Sequence, residues 1–420
     1  MFRAIASKNF EPFGQFRLEL PPVSDKPDNL AEVHLFTGVN GTGKTRILSV
    51  LSAMLGNANH LLKRMKGSKE TNFYVSSKIE AGSDYEQWDC ISASSGTINW
   101  FYHPGTKFSE FVNQVPAFAY SGYAYVSDAT VSAMGPVERP NRSLCLSFNR
   151  PEHLSQPLLQ AITNLLFETG VDLINSSSEG YSPSRSARLV QLLSSTLFEI
   201  TGIKLQFRIE RFPQISLYVI WGNTKLAFDV LPDGLRAIIG WLVHALVMMD
   251  VWLQGQKDPT DVEAIFLLDE IESHLHPAWQ RKILPAFQRL FPKSQIFVAT
   301  HSPFVIASLN HGWIHSLKMG ANGQVIIEKP MAASKGDSYI SVVEDIMGVK
   351  EWFDPETEQL LAKFRSERDL IYGLKTPEER ASLFANTKKL AIEIGSRSTE
   401  LDFMMGKELN QLERHLAKGA

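Results

Sequence analysis

A glycine loop between a strand and a helix constrains the fold of this chain more than any other feature. The stretch GVNGTGKT, Gly38 to Thr45, fits the spacing G-x-x-x-x-G-K-[ST]. Ahead of it, Val33-His34-Leu35-Phe36-Thr37 reads as a short strand. Behind it, TRILSVLSAMLG places Ile47, Leu48, Leu51, Met54 and Leu55 on one helical face. Strand, loop and helix in this order predict a turn whose backbone N–H groups at Gly41, Thr42, Gly43 and Lys44 converge at the positive end of the helix. Such a turn, with Gly38, Val39 and Asn40 opening it, cradles phosphate oxygens. Lys44 is then placed to reach the β- and γ-phosphates of ATP, and Thr45 to ligate Mg²⁺.

The rest of the chain reads as an α/β protein with a largely parallel core sheet. Runs at NFYVSSKIEA, EQWDCISAS and TINWFYH suggest an antiparallel β extension of a first lobe, residues 1–150. A helical lobe follows over 151–254, interrupted by the Ser/Gly/Pro-rich stretch SSSEGYSPS and by the alternating segments LQFRIERF, ISLYVIW and KLAFDV. AIFLLDE and QIFVATHSP are apolar strands separated by the helix HPAWQRKILPAFQRLF, with Pro277 at its start and Pro285 as a kink; they define a core segment, 255–335. A C-terminal helical module occupies 336–420. No internal repeat is visible.

Composition narrows the class. The 420 residues are 44% hydrophobic and 21% charged, with a formal net charge of −3, so there is no overall basic field to hold nucleic acid. Local basic groups, Lys63, Arg64, Lys66 and Lys69, then Arg139, Arg142 and Arg150, could hold nucleic acid locally, although solvated surface is the favoured reading. The two cysteines, Cys90 and Cys145, lack ligand spacing, which fits a reducing, cytoplasmic setting. The most apolar run, AIIGWLVHALVMMDVWL, is broken by His244 and Asp250 and reads as a buried helix.

In a parallel sheet, ligands gather at the carboxyl ends of the strands, where Gly43, Asp269 and His301 fall. Asp269 ends an apolar strand and suits Mg²⁺, which takes oxygen ligands and keeps its waters. Glu270 points elsewhere and is free to activate a water. His301, ending the next strand, can donate a hydrogen bond to the γ-phosphate.

Together VNGTGKT, LPDGLR, LLDEIESHLHP and VATHSP resemble the ABC-type ATPases of the SMC, RecF and OLD lineage over roughly residues 1 to 330. By that resemblance Gly38 to Thr45 is the Walker A loop, Leu231 to Arg236 the signature segment, Asp269 and Glu270 the Walker B pair, and His301 the switch histidine. The signature usually carries a serine second, whereas this chain has Pro232, Asp233 and Gly234. Asp233 reads either as a cap for the apolar helix or, with Gly234, as a contact to the phosphates of another subunit's ATP. His276 stands where transporters carry an aspartate. The resemblance implies a composite site, hence at least a homodimer.

Three uses of ATP are implied. One is control of a separate effector, a nuclease or toxin, in a bacterial anti-phage system, similar to the ATPases accompanying Septu-type and retron-type effectors. The alternative is a RecF- or SMC-like ATPase acting on DNA; residues 56 to 230 carry no sustained heptads, which leaves only a short form of it. A nuclease with its own Toprim domain needs a D-x-D element, and the chain has none. Beyond residue 336 only helix signals remain: Asp354-Pro355 and Thr376-Pro377 read as N-caps, with Glu379 completing a capping box. A stripe of Leu401, Met405, Leu409, Leu412 and Leu416 fits either a bundle core or a docking face for the effector.

Overall fold

A computed structural model describes residues 1–24, 26–64, 71–77, 86–92, 98–101, 114–122, 131, 135–148, 155–175, 184–210, 215–333, 336, 338–373 and 377–418. The chain divides into two compact units, Met1–Met347 and Gly348–Ala420.

In the first unit, β1 (Phe2–Phe10) and β2 (Gly14–Glu19) form a hairpin, and β3 (Glu32–Gly38) leads through the glycine loop into α1 (Lys44–Met54). Strands β4 (Thr71–Ser77), β5 (Glu86–Ser92) and β6 (Ile98–Phe101) extend the hairpin into an antiparallel sheet of order β2-β1-β4-β5-β6. Next come β7 (Ala117–Ser121) and two long helices, α2 (Ser155–Asn175) and α3 (Arg185–Thr201). A three-stranded antiparallel sheet follows, made of β8 (Leu205–Glu210), β9 (Ser216–Trp221) and β10 (Thr224–Leu226). Then α4 (Asp233–Trp252), with a turn of π-helix at Ile239–Val243, precedes β11 (Ile265–Asp269), α5 (Pro277–Leu290), β12 (Gln295–Ala299) and α6 (Pro303–Ala307). Strands β13 (Trp313–Met319), β14 (Val325–Ile327) and β15 (Met331–Ala332) complete the unit's sheets.

The central sheet runs β14-β13-β3-β12-β11-β7, with β15 also on β13. Its β13·β3, β3·β12, β12·β11 and β11·β7 pairs are parallel. Both faces are covered, which explains why these strands read as continuous apolar runs. Val33, Leu35, Phe266, Leu268, Ile296 and Val298 face the helices α2 to α5. Alternate residues Phe36, Ile265, Leu267, Phe297 and Ala299 face α1 and the β1 hairpin. The fold is α/β, a mainly parallel sheet covered on both faces, with an antiparallel β extension and a helical lobe.

The polar breaks in the apolar helix are partnered inside the fold. His244 Nδ1 lies 3.0 Å from the Tyr120 hydroxyl, and Asp250 is ion-paired with Arg185. By length and composition α4 could cross a membrane, yet 83% of its most apolar window is buried. A polar row also runs through the sheet core: Arg3 and Gln295 both bond Glu32, at 2.5 and 2.6 Å, and Glu32 bonds His34 Nε2 at 3.1 Å. His34 Nδ1 in turn meets His315 Nε2 at 3.1 Å.

The surface reading of two basic residues is corrected. Arg139 and Arg142 are not simply solvated: Arg139 stacks 4.1 Å above the Trp252 ring, and Arg142 donates to the Leu55 and Val115 carbonyls at 2.7 and 2.9 Å. Lys66, Lys69, Arg150, the capping box at Thr376 and all but the last residue of SSSEGYSPS lie outside the described residues.

In the second unit, α7 (Pro355–Gly373), α8 (Pro377–Gly395) and α9 (Thr399–Lys418) form a bundle in which α8 packs on both neighbours. Asp354 caps α7, its Oδ1 accepting from Glu356 N and Thr357 N at 3.1 Å each. Leu401, Met405 and Leu412 are buried with Leu361, Phe364 and Ile394, and Leu409 and Leu416 pack against them. The docking reading of this stripe is thus corrected, since its leucines fill the bundle's own core.

Candidate functional site

The parallel register places Asp269 level with Ala299 of β12 and with Ser121 of β7, and Ala299 level with Phe36 of β3. The loops leaving these strands therefore open on one edge of the sheet. The glycine loop depends on residues without a Cβ. Gly38 has φ of 147°, and a Cβ there would meet the Leu317 carbonyl at 2.2 Å. Gly43 has φ of 89°, and its Cβ would meet the Phe13 ring at 2.6 Å, so the tip of the β1–β2 hairpin packs directly under the loop. Val39, Asn40 and Gly41 are exposed, while Thr42 is buried and its hydroxyl donates to the Val39 carbonyl at 2.9 Å.

Lys44 folds back over the loop, its ammonium donating to the Gly38 and Val39 carbonyls at 2.8 and 3.2 Å. Burial lowers its pKa to about 8 against the opposing pull of Asp269, Glu270 and Glu272. Thr45 Oγ1 donates to Asp269 Oδ1 at 3.0 Å. Two oxygens in adjacent positions around a cation with Mg–O distances of about 2.0–2.1 Å lie about 2.9 Å apart, so this pair fits one edge of a Mg²⁺ shell. Among the described residues no group of three or more His, Cys, Asp or Glu side chains could hold a metal unaided. A metal seated here would draw its remaining ligands from nucleotide and water, as Mg²⁺ commonly does.

Glu270 follows Asp269 in a left-handed conformation, φ 51°, with its N–H on the Ala299 carbonyl at 2.9 Å. Its carbonyl is crowded by Gly122, where a Cβ would come within 2.0 Å. His301 is half-buried; its pKa is lowered by burial and by the Lys44 charge, against Glu270. Lys44, Asp269, Glu270 and His301 thus lie within electrostatic reach of one another, next to Thr45.

The signature segment opens α4. Asp233 does not cap α4: the N-cap is Pro232, whose carbonyl accepts from Leu235 N and Arg236 N at 2.9 and 3.0 Å. The helix begins one residue earlier than an Asp cap requires, and the exposed Asp233 carboxylate sits 3.6 Å from Arg236 instead. Gly234 is buried, with a Cβ position 2.9 Å from the His274 carbonyl and 3.1 Å from the Trp279 ring. His276 caps α5, its Nδ1 accepting from Ala278 N at 3.2 Å.

Sequence reasoning missed a set of polar residues that brace His301. Glu272 Oε1 accepts from Thr300 Oγ1 and from His301 N, both at 2.7 Å. Ser302 Oγ donates to Gln280 Oε1 at 2.6 Å, and Gln280 Nε2 donates to the Leu275 carbonyl at 2.9 Å. The available signals were the third acid in DEIE and the Ser302-Pro303 pair, a residue type suited to a helix N-cap followed by proline.

A family model described as "AAA domain, putative AbiEii toxin, Type IV TA system" matches residues 156–307. The chain is similar to the Septu protein PtuA of Bacillus thuringiensis, 23% identical over 184 residues, covering 42% of this chain and 46% of that one. It is also similar to the "Retron Ec83 probable ATPase" of Escherichia coli, 27% identical over 208 residues, covering 47% of this chain and 37% of that one. The matched regions thus span less than half the length of these curated relatives. Among solved structures, an SmcHead bound to the C-winged helix domain of ScpA aligns over 79% of this chain and 97% of its own, at 13% identity and a TM-score of 0.45.

Proposed function

We propose that this chain, a P-loop ATPase similar to those of Septu and retron anti-phage systems, binds Mg²⁺·ATP at Gly38 to Thr45 and hydrolyses it to ADP and phosphate. The observation that carries this reading is the 3.0 Å hydrogen bond between Thr45 Oγ1 and Asp269 Oδ1. It joins the end of the glycine loop to the carboxylate of a strand 224 positions away in sequence.

The loop from Gly38 through Val39, Asn40, Gly41, Thr42 and Gly43 presents its N–H groups to the phosphates, and Lys44 exchanges its carbonyl partners for phosphate oxygens. Thr45 and Asp269 hold Mg²⁺, which when bound neutralises charge on the β- and γ-phosphates. Glu270 accepts a proton from the attacking water as its oxygen bonds to the γ-phosphorus and the bond to the β-bridging oxygen breaks, releasing ADP. His301 donates an N–H to a γ-phosphate oxygen.

A second copy of the chain supplies its signature segment, Asp233 and Gly234, to complete the site as a homodimer. The nucleotide state then governs a separate effector polypeptide, a nuclease or a toxin. What supports this reading is the similarity to a Septu protein and to a retron probable ATPase. A DNA-acting role has less support, because Arg142, one of the local basic residues, spends its guanidinium on the Leu55 and Val115 carbonyls.

Phosphate release by the purified chain, and its loss in Lys44→Ala, tests the first step. Mixing Lys44→Ala with Asp233→Trp chains tests the dimer, because Asp233 is exposed and a bulky residue there leaves the fold alone. Recovery of activity in the mixture is expected; none, despite demonstrated mixed dimers, means that each chain works by itself. Co-purification with the products of neighbouring genes tests the effector.

A further inference from the structure

We infer that Glu272 is a positioning residue for His301, fixing the imidazole against the γ-phosphate; the inference rests on the reading of this site as an ATPase. His301 follows the end of β12, and its backbone is held from two directions. Thr300 N donates to the Phe36 carbonyl at 3.1 Å, tying the turn to the strand that carries the glycine loop. Glu272 Oε1 takes both the Thr300 hydroxyl and the His301 N–H at 2.7 Å, tying the same turn to the segment that carries Glu270.

The bracing closes on itself. Ser302 N donates to Thr300 Oγ1 at 3.0 Å, and Ser302 Oγ donates to Gln280 Oε1 at 2.6 Å. Gln280 Nε2 returns to the Leu275 carbonyl at 2.9 Å and the Glu272 carbonyl at 3.3 Å. A ring of hydrogen bonds thus runs from the Glu272 side chain to its own backbone, with His301 mounted on it. The other carboxylate oxygen, Oε2, is buried and has no hydrogen-bond partner.

A carboxyl group buried with half its acceptors unused is a costly way to finish a strand. The strand end alone would be satisfied by a serine or a water. What Glu272 adds is a fixed distance between the turn bearing Glu270 and the backbone of His301, and reacting geometry is sensitive at the scale of about 1 Å. Glu272 does not touch the phosphates in this scheme; it acts through His301.

The test compares the affinities of the full chain for ATPγS and for ADP, with Mg²⁺, in wild type, Glu272→Ala, Glu272→Gln, His301→Ala and the Glu272→Ala/His301→Ala double variant. Glu272→Ala is expected to weaken triphosphate binding on the order of tenfold to a hundredfold while leaving ADP binding unchanged. Glu272→Gln, whose amide oxygen accepts both hydrogen bonds, restores most of it. The double variant binds no worse than His301→Ala alone, since the two act as one unit. The inference is overturned if the two losses multiply, or if Glu272→Ala weakens ADP and ATPγS alike. Should Glu272→Ala fail to fold, Thr300→Val removes one of the two donors and takes its place in the cycle. A wild-type chain that binds neither nucleotide overturns the ATPase reading and this inference together, whereas binding with independent effects overturns this inference alone.

Discussion

Thr45 and Asp269 meet through a single hydrogen bond of 3.0 Å, and that contact joins the two halves of the site. Asp269→Asn keeps the shape of the carboxylate and removes its charge. The expected result is a loss of at least about tenfold in the Mg²⁺-dependent gain of nucleotide affinity, with metal-free binding unchanged. Titration with and without EDTA reads it. Equal affinities in both conditions for wild type would remove the metal from this edge.

Glu270→Gln should retain ATP affinity and lose turnover by about 10²- to 10⁴-fold, because the amide cannot accept the proton of the attacking water. Phosphate release measured beside equilibrium binding separates the two effects. Wild-type turnover would exclude Glu270 as the base.

The row Glu32–His34–His315 predicts loss of stability on acidification. His34 Nε2–H donates to the Glu32 carboxylate, so Nδ1 of the neutral ring accepts from His315 Nε2–H, and His315 Nδ1 is left without a partner. Burial lowers both histidine pKa values, so below about pH 6.5 the unfolded chain takes up more protons and stability falls. Against the cost of burial, hydrogen bonds to His34 and Arg3 hold Glu32 at about 2; its contribution is present above its ordinary value of 4.5 and lost as pH falls towards 2. Melting temperature should drop between pH 7 and 5 in wild type and less steeply in His315→Leu. Parallel curves for the two proteins would show that the histidine pair is not the source.

Gly234→Ala should destabilise the first unit by about 1–3 kcal/mol, since its methyl would be pressed onto the His274 carbonyl and the Trp279 ring. Denaturant midpoints for the whole chain provide the check. A neutral effect would mean that the helix start can shift without cost.

In the bundle, Leu412 is fully buried and Phe403 is 68% exposed. Leu412→Ala should cost about 2–5 kcal/mol, while Phe403→Ala stays within about 0.5 kcal/mol. Hydrogen exchange of α8 and α9 amides in the full chain distinguishes them. Equal effects would place the stripe outside the core.

The glycine loop and the strand ends were legible because local pattern determines them: a strand needs a run of apolar residues, and the loop needs glycine where a Cβ would strike Leu317 or Phe13. What the sequence hid was contact made at long range. Nothing near Glu272 announces Thr300, 28 positions away, and nothing near Gly234 announces His274. Asp233 misled for the opposite reason, since aspartate before an apolar run is a good cap by residue type, yet it is itself the first helical residue and the proline before it takes the cap. The C-terminal stripe was ambiguous in principle, because a bundle core and a docking face share one periodicity until a neighbouring helix is seen to fill the groove.

Because β12 lies between β3 and β11, the stretch matched by the family model and the stretch able to fold are different objects. A fragment cut at 156 and 307 would keep β11 and β12 and lose β3, β7 and β13. It would leave a two-stranded parallel pair bare along both edges, with Ile265, Leu267 and Phe297 stripped of α1 and the hairpin. The matched stretch and the folding unit thus divide this chain at different joints, and a gene fragment trimmed to residues 156–307 would leave both edges of that strand pair open to aggregation.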